Sequence, residues 1–310
     1  MIFSNIKEHN NWSYIEKYLF DKLNKICFSQ KLIFIPFVDI FILDKITLLS
    51  NNNENVNWVG ILHNPVLTEI YPENDIFIKK KFLNYLDYCK GLFVMSTELK
   101  EYIIKKFNPP FFVEVIYHPL PYINVNEWKY ESFIKNENKK IIQVGNWLRK
   151  TYGIFKINVP KIFTKVITPF GERTQNELKF WLNKDNIVID DSEYDSVVKC
   201  TFIEDTEYIE LFKNNLFFLD LYDSTANNII LECIKANCPI IINNKSSIKN
   251  YLGNDYPLYY NDYSQINDLL CDENILKAHI SLKNLNKSKF DIEYLFNNIL
   301  DILKKNYIVI

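Results

Sequence analysis

The chain has 310 residues, of which 48% are hydrophobic and 15% aromatic, and its formal net charge is −2. This composition excludes an intrinsically disordered chain and is sufficient for two domains with cores of their own. The 36 basic and 38 acidic residues are mixed along the sequence. Binding to duplex nucleic acid is disfavoured, because such binding needs a basic stripe or patch.

Cysteine usage and hydropathy point to a cytoplasmic protein with reduced thiols. Six cysteines are scattered along the chain without a C-x-x-C pair, at Cys27, Cys89, Cys200, Cys233, Cys238 and Cys271. We therefore expect no metal site. No apolar run approaches the about 18 residues of a membrane span, and the N-terminus lacks a signal-peptide-like run. No transmembrane segment is predicted, and a peripheral membrane contact stays open.

The first part of the chain alternates predicted helices and buried strands. Continuous apolar runs predict strands over 31–40, 57–65, 91–96 and 111–119. Helical spacing and capping residues predict helices over 12–27, near 75–88 and after Ser96. A polar, proline-marked stretch over 119–140 is the predicted linker.

After this linker the alternation restarts. Further strands are predicted over 140–146, 161–170, 186–191, 197–203, 216–222, 238–243 and 257–260. Helices are predicted near 173–183, over 204–215, from about 226, over 247–253 and from 262 onward. This pattern is typical of two α/β units in tandem with parallel, helix-flanked sheets, which bind ligands beyond the carboxyl ends of their strands.

The stretch 219–243 carries the strongest functional signal. An apolar strand ends in a polar turn, and a helix with one carboxylate, Glu232, follows. The start of such a helix offers unpaired N–H groups and a positive dipole end to a phosphate. Asn228 lies four residues before Glu232, on the same predicted face. The alternative is an ordinary capped helix whose glutamate faces solvent.

Two further loops contain candidate residues. Gly145 follows an apolar strand and permits close approach of a ligand to the backbone, while Arg149 and Lys150 offer positive charge to a diphosphate. The alternative is a solvated loop. In the first part of the chain, His63 ends a predicted strand, as does His118. A histidine there could be a base, a hydrogen-bond donor to substrate or a structural residue.

Together these stretches resemble a GT-B glycosyltransferase. The segment S-T-A-N-N-I-I-L-E-C-I-K-A-N-C-P-I-I is similar to the E-x7-E segment of retaining members, with Glu232 at the second glutamate. Ser224 stands in place of the first glutamate, and Asn227 in place of a glycine. V-G-N-W-L-R-K is similar to the donor-phosphate loop, and G-I-L-H-N-P to the amino-domain strand ending in histidine. The resemblance extends from about residue 58 to residue 260.

The resemblance implies an α/β fold class in which two Rossmann-like domains face each other across a cleft. The acceptor-side domain would span 1–122 and the donor domain 123–310, and it stays open whether the C-terminal helix packs back on the first domain. The implied activity is a metal-independent, hexosyltransferase-like glycosyltransferase without a cofactor. It would move a sugar from a UDP- or GDP-sugar to an unidentified glycan, protein or small molecule.

Roles for individual residues follow from the same resemblance. His63 would be the catalytic residue, and Glu232 would bind the ribose. The donor-binding set would be Gly145, Asn146, Arg149, Lys150, Ser224, Asn227, Asn228 and Glu232. Two alternatives stay open. One is a nucleotide-sugar epimerase on the same fold. The other is a catalytically silent binding or scaffold protein, which the replaced first glutamate and the presence of only 6 glycines favour.

Overall fold

The computed structural model describes residues 10–26, 32–40, 56–122, 124–225 and 227–308. The chain forms two compact units, of which the first comprises Met1–Tyr122 with Lys287–Ile310 and the second Ile123–Asn286. No helix in the described parts is long and apolar enough to cross a membrane. The predicted helix 12–27 ends at Cys27 and the predicted strand 31–40 begins at Lys31, and both of these residues lie outside the described parts. The other five cysteines are free thiols.

The first unit is built on a parallel sheet. Its strands, in the order β1-β2-β3-β4, are β1 (Leu32–Ile35), β2 (Asn57–Leu62), β3 (Cys89–Val94) and β4 (Phe112–Val115). Most residues of β1, β2 and β3 are buried, as expected for parallel strands covered on both faces. Helices of this unit are Asn10–Leu23, Val38–Ile40, Lys80–Tyr85, Thr97–Phe107 and Ile292–Lys305.

The predicted helix near 75–88 is interrupted. Short 3₁₀ turns at Pro72–Asn74, Ile76–Ile78 and Leu86–Tyr88 surround the helix Lys80–Tyr85. The buried side chain of Asp75 accepts a hydrogen bond from the backbone N–H of Phe77 at 2.8 Å. An aspartate that binds the backbone locally starts a new turn instead of continuing a helix.

The second unit contains a six-stranded parallel sheet in the order β10-β9-β8-β5-β6-β7. Its strands are β5 (Lys139–Val144), β6 (Phe163–Thr168), β7 (Val197–Lys199), β8 (Leu216–Leu219), β9 (Ile240–Asn243) and β10 (Tyr259–Tyr260). Strands β5, β6 and β7 follow one another toward one edge of the sheet, and β8, β9 and β10 follow one another toward the opposite edge. This is the doubly wound Rossmann order, which binds ligands where the winding reverses.

The helices of the second unit precede, connect or follow these strands. They are Tyr130–Lys135, Gly153–Lys156, Glu172–Asp185, Asp191–Asp195, Asp205–Leu211, Asn228–Ala236, Ser246–Leu252, Ile266–Leu269 and Asp272–Asn284. The predicted linker contains the first of them. It is anchored by Trp128, which is fully buried and donates its indole N–H to the carbonyl of Asn215 at 2.9 Å.

One predicted strand is wrong. No strand forms over 186–191, because Asn186 has a φ of 54° and ends the helix Glu172–Asp185 in a left-handed turn. Asp190 then begins the helix Asp191–Asp195 through a capping box with Glu193. Cap chemistry at both ends of this short apolar run overrides its strand propensity.

Candidate functional site

The loops that leave β5 and β8 are joined at the point where the winding reverses. The backbone N–H of Lys150 donates to the carbonyl of Asp220 at 2.8 Å, and that of Tyr222 donates to the carbonyl of Leu148 at 2.9 Å. We call residues 145–150 the β5 loop and residues 220–225 the β8 loop. These bonds fix the two loops against each other beyond the carboxyl ends of neighbouring central strands.

Gly145 allows the β5 loop to fold back on itself. Its φ is 75°, and a Cβ atom there would lie 2.7 Å from Nη1 of Arg149. The positive φ therefore favours glycine, and a side chain at this position would also displace the guanidinium. The next residue, Asn146, donates from its side-chain amide to Oγ1 of Thr174 at 3.1 Å.

Arg149 has hydrogen-bonding capacity that the protein leaves unused. Its Nη1 donates to the carbonyl of Trp147 at 3.3 Å and its Nη2 to Oδ1 of Asn227 at 3.4 Å. Its Nε is buried and has no partner among the described residues. Burial lowers the pKa of Arg149 to about 10, although Tyr208 and Glu232 act in the opposite direction. The group still carries its charge at neutral pH, so it offers an anion a partly buried cation.

The helix Asn228–Ala236, which we call the Glu232 helix, begins directly after Asn227. Asn227 is extended, with a φ of −142°, and its side chain does not cap the helix. An extended backbone suits any residue, so the asparagine at this glycine-like position is not strained. The helix ends at Asn237, whose φ of 55° is the left-handed conformation that asparagine tolerates well.

Glu232 is buried, with 7% of its surface exposed. Seven of the nine helix residues are buried, which explains why this carboxylate does not reach solvent. Its Oε2 accepts a hydrogen bond from the hydroxyl of Tyr208 at 2.5 Å. Burial raises the pKa of Glu232 to about 7, while the Tyr208 hydrogen bond and the charge of Arg149 oppose that rise. The solvent-facing alternative for Glu232 is therefore wrong.

The structure brings part of the predicted set together. Gly145, Arg149, Asn227 and Glu232 converge beside the Rossmann switch point, joined by Tyr208 from the helix Asp205–Leu211. Sequence reasoning missed Tyr208, since its partner lies 24 residues further along the chain. Only a tertiary contact identifies it.

Other predicted donor residues lie differently. The ammonium group of Lys150 pairs with Asp185 at 2.7 Å, and the hydroxyl of Tyr152 donates to the same carboxylate oxygen. Asn228 is exposed, although Glu232, four residues later, is buried. Ser224 is 4% exposed, and its backbone N–H donates to Oδ1 of Asp223 at 2.7 Å. Their roles toward a donor stay predictions.

His63, the residue predicted to be catalytic, belongs to the first unit. Its ring stacks on that of Phe37 with the centroids 3.9 Å apart. It makes an edge-to-face contact with Trp12, with the centroids 4.0 Å apart. Its Nε2 lies 2.9 Å from the carbonyl of Pro36, an arrangement in which this nitrogen carries the proton. Its backbone N–H donates to the buried carboxyl of Asp39 at 2.7 Å. The imidazole is thus held in one orientation at the carboxyl end of β2.

His118 also contacts Trp12, with the two ring centroids 5.2 Å apart. It is 5% exposed, and burial lowers its pKa from 6.5 to about 4. The unfolded chain therefore binds more protons between these two pH values, so this histidine stabilises the fold above pH 6.5 and loses that effect as the pH falls toward 4.

We expect the replacement His118→Gln to remove this acid sensitivity. On acidification from pH 6.5 to below 4, the wild type should lose up to about 3 kcal/mol more unfolding free energy than the variant. The buried carboxyl of Asp39 has a pKa raised to about 7, so its protonation stabilises the fold as the pH falls. This effect is the same in both proteins and cancels in the comparison. Urea unfolding at several pH values measures the difference, and parallel curves for the two proteins would contradict the assignment.

In the described part of the chain, no group of three or more histidine, cysteine, aspartate or glutamate side chains is arranged to hold a metal ion. No protein-family model matches the sequence. A comparison with curated protein sequences gives no match either.

Solved structures, by contrast, share the fold. A sucrose-phosphate synthase from Thermosynechococcus elongatus superposes with a TM-score of 0.60 at 10% identity, covering 97% of this chain and 80% of its own. An α,α-trehalose-phosphate synthase (UDP-forming) from Burkholderia xenovorans, in complex with glucose-6-phosphate, gives 0.55 at 10% identity, with 95% and 77% covered. An E. coli trehalose-6-phosphate structure bound with UDP-2-fluoro glucose gives 0.56 at 12% identity, with 95% and 77% covered.

The GT-B-like fold class is confirmed. Both units carry the parallel, helix-flanked sheets of this α/β class, and the likeness to these synthases covers nearly the whole chain. Within the GT-B-like fold, the cluster of Arg149, Asn227 and Glu232 belongs to the second unit and His63 to the first.

Proposed function

We propose that this protein is a glycosyltransferase that uses a nucleoside-diphosphate sugar of the UDP or GDP type as donor. The observation that carries the proposal is the convergence of Arg149, Asn227 and Glu232 where the Rossmann winding reverses. The likeness to a UDP-forming synthase and to a structure bound with a UDP-sugar analogue supports the UDP type.

In this proposal the second unit binds the nucleotide end of the donor. Arg149 and the N–H groups at the start of the Glu232 helix stabilise the diphosphate, and Glu232 accepts hydrogen bonds from the ribose hydroxyls. During transfer, the bond from the anomeric carbon to the diphosphate oxygen breaks, a bond to an acceptor hydroxyl oxygen forms, and the proton of that hydroxyl passes to the leaving diphosphate. Negative charge grows on the leaving diphosphate, which preorganised donors and a partly buried cation stabilise without a metal ion.

His63 is proposed to act at the reacting centre. Its ring is held between aromatic side chains, and its Nε2 lies against the carbonyl of Pro36. A histidine fixed in this way supplies an oriented imidazole at little entropic cost. The acceptor is a hydroxyl compound, and glucose-6-phosphate, present in one structural neighbour, is the first candidate to test.

Nucleotide binding provides the decisive experiment. We expect either UDP or GDP to raise the melting temperature and to bind in calorimetry, since a ligand of the folded state stabilises it. Glu232→Gln should weaken that binding at least about tenfold, because the amide accepts hydrogen bonds from a ribose less well than a carboxylate. Glu273→Gln, at an exposed glutamate paired with Lys277, is the matched control. If the wild type binds neither nucleotide and releases none from any nucleotide sugar, the proposal is wrong.

A second candidate is a donor-binding protein without transfer activity. Ser224, which stands where the resemblance expects the first glutamate, is buried and offers no carboxylate to the donor sugar. Binding of the nucleotide sugar without nucleotide release, in the presence of sugar and sugar-phosphate acceptors, would favour this candidate over the transferase.

A further inference from the structure

Tyr208 contacts the carboxylate of Glu232 and is not among the residues predicted for the site from the sequence. It lies on the helix Asp205–Leu211, and its hydroxyl donates to Oε2 of Glu232. Oε1 of the same carboxylate accepts no hydrogen bond from the described residues. One carboxylate oxygen is therefore engaged by the protein, and the other keeps its acceptor capacity.

The ring of Tyr208 is held by the core of the second unit. It meets the edge of Phe212 at 5.4 Å, and Phe212 stacks on Phe217 of β8 at 4.5 Å. Both phenylalanines are fully buried. Because these aromatic contacts define where the ring lies, the hydroxyl approaches Glu232 from a fixed direction.

We infer that Tyr208 is a positioning residue, which holds Oε2 of Glu232 so that Oε1 is presented, ionised, to the ribose hydroxyls of the donor. The ribose part of this inference rests on the proposed function, whereas the contact between Tyr208 and Glu232 does not. A carboxylate that is aimed and ionised before the nucleotide arrives accepts two ribose hydroxyls without reorganisation.

The electrostatic surroundings of Glu232 give Tyr208 a measurable effect. Arg149 faces the carboxylate from the β5 loop, Tyr208 faces it from its own helix, and the thiol of Cys233 neighbours it on the Glu232 helix. Burial favours the protonated carboxyl, and the Tyr208 hydroxyl and the Arg149 charge favour the carboxylate. Removing the hydroxyl should therefore raise the pKa of Glu232 above its present value of about 7.

The first measurement is the titration of Glu232 itself. Carbon-detected NMR of glutamate-labelled protein follows its carboxyl carbon, and the signal is assigned by its loss in Glu232→Gln. We expect the midpoint to rise by about one unit in Tyr208→Phe, which keeps the ring and its packing on Phe212. Tyr259→Phe is the matched control, because it removes a hydroxyl that donates to the Gly253 carbonyl instead. An unchanged midpoint in Tyr208→Phe would overturn the inference whatever the protein binds.

The second measurement is ribose recognition. UDP or GDP, whichever binds the wild type more tightly, is compared with its 2′,3′-dideoxy analogue, so that phosphate titration cancels in the affinity ratio. At pH 7 the preference for the ribonucleotide should fall about fivefold in Tyr208→Phe and return above pH 9, because the carboxylate is then ionised again. Tyr259→Phe should keep the wild-type preference at every pH.

These measurements distinguish a failure of the proposed function from a failure of the positioning role of Tyr208. If the wild type binds no nucleotide, the proposed function fails, while the titration of Glu232 still judges the contact. If the wild type prefers the ribonucleotide and Tyr208→Phe keeps that preference unchanged, the proposed function stands and the positioning role is wrong. Tighter ribonucleotide binding by Tyr208→Phe would also overturn the inference, since it would show that Tyr208 competes with the ribose.

Discussion

Replacing Arg149 by methionine is expected to weaken binding of the nucleoside diphosphate about 100-fold, equivalent to about 2.7 kcal/mol. The guanidinium has a buried Nε without a partner in the described residues, and its other hydrogen bonds, at 3.3 and 3.4 Å, are long. An anion that meets such a group replaces no strong interaction within the protein. Charge-assisted hydrogen bonds formed on binding therefore contribute nearly in full.

The same replacement should leave the stability of the second unit nearly unchanged. A partly buried charge with incomplete pairing costs desolvation energy, and the removal of this cost by methionine offsets the lost attraction to Glu232. We thus expect Arg149→Met to lower the nucleotide affinity without a matching loss in the free energy of unfolding. A structural residue would lower both. Loss of the fold in Arg149→Met would contradict this account.

Calorimetric titration and thermal unfolding of the same samples test both expectations. Arg173→Met is the matched control, since Arg173 is an exposed arginine on the helix Glu172–Asp185. It should bind the nucleotide like the wild type. If Arg149→Met binds like the wild type as well, Arg149 does not contact the diphosphate.

Replacing Gly60 by alanine is expected to destabilise the first unit by about 3 kcal/mol. Gly60 lies in β2, and a Cβ atom there would overlap the side chain of Val38 and lie 2.8 Å from the carbonyl oxygen of Ile35. A backbone atom of the neighbouring strand cannot move away without disturbing the pairing of β1 with β2. The cost therefore includes lost sheet hydrogen bonds as well as strain.

Gly171→Ala is the matched control for this experiment. A Cβ atom at Gly171 would meet nothing within 4 Å, and its φ of −95° suits any residue. Because Gly171 precedes a helix, we expect an effect within about 1 kcal/mol. Chemical unfolding of the two variants measures the contrast, and equal stabilities would show that the sheet accommodates a side chain at Gly60.

Much of the fold follows from patterns that are local in sequence. Apolar runs bounded by polar residues identified the parallel strands on both sides of the linker, because a strand covered on both faces must be apolar throughout. The pattern failed over 186–191, where the left-handed Asn186 and the capping residue Asp190 decide the backbone. It also missed the helix Tyr130–Lys135 within the predicted linker, since that helix is anchored by the tertiary contacts of Trp128.

In the candidate site too, some features could be predicted from the sequence and others could not. Gly145, Arg149, Asn227 and Glu232 could be selected from sequence, because each lies in the loop after a predicted strand or on the helix that follows it. Lys150 stands beside Arg149 in sequence, yet its ammonium group pairs with Asp185, which lies 35 positions away. Adjacent residues on a loop point in different directions, and only the packed structure decides which partner each one meets.

The sequence alone therefore determined the class of fold and the second-unit loops that carry the candidate residues, because strand, turn and cap signals act over a few residues. The tertiary structure decided the strand order that makes β5 and β8 neighbours, the burial of Glu232 and its contact with Tyr208. These depend on free energies of packing and desolvation between segments that are distant in the chain. No local pattern encodes them.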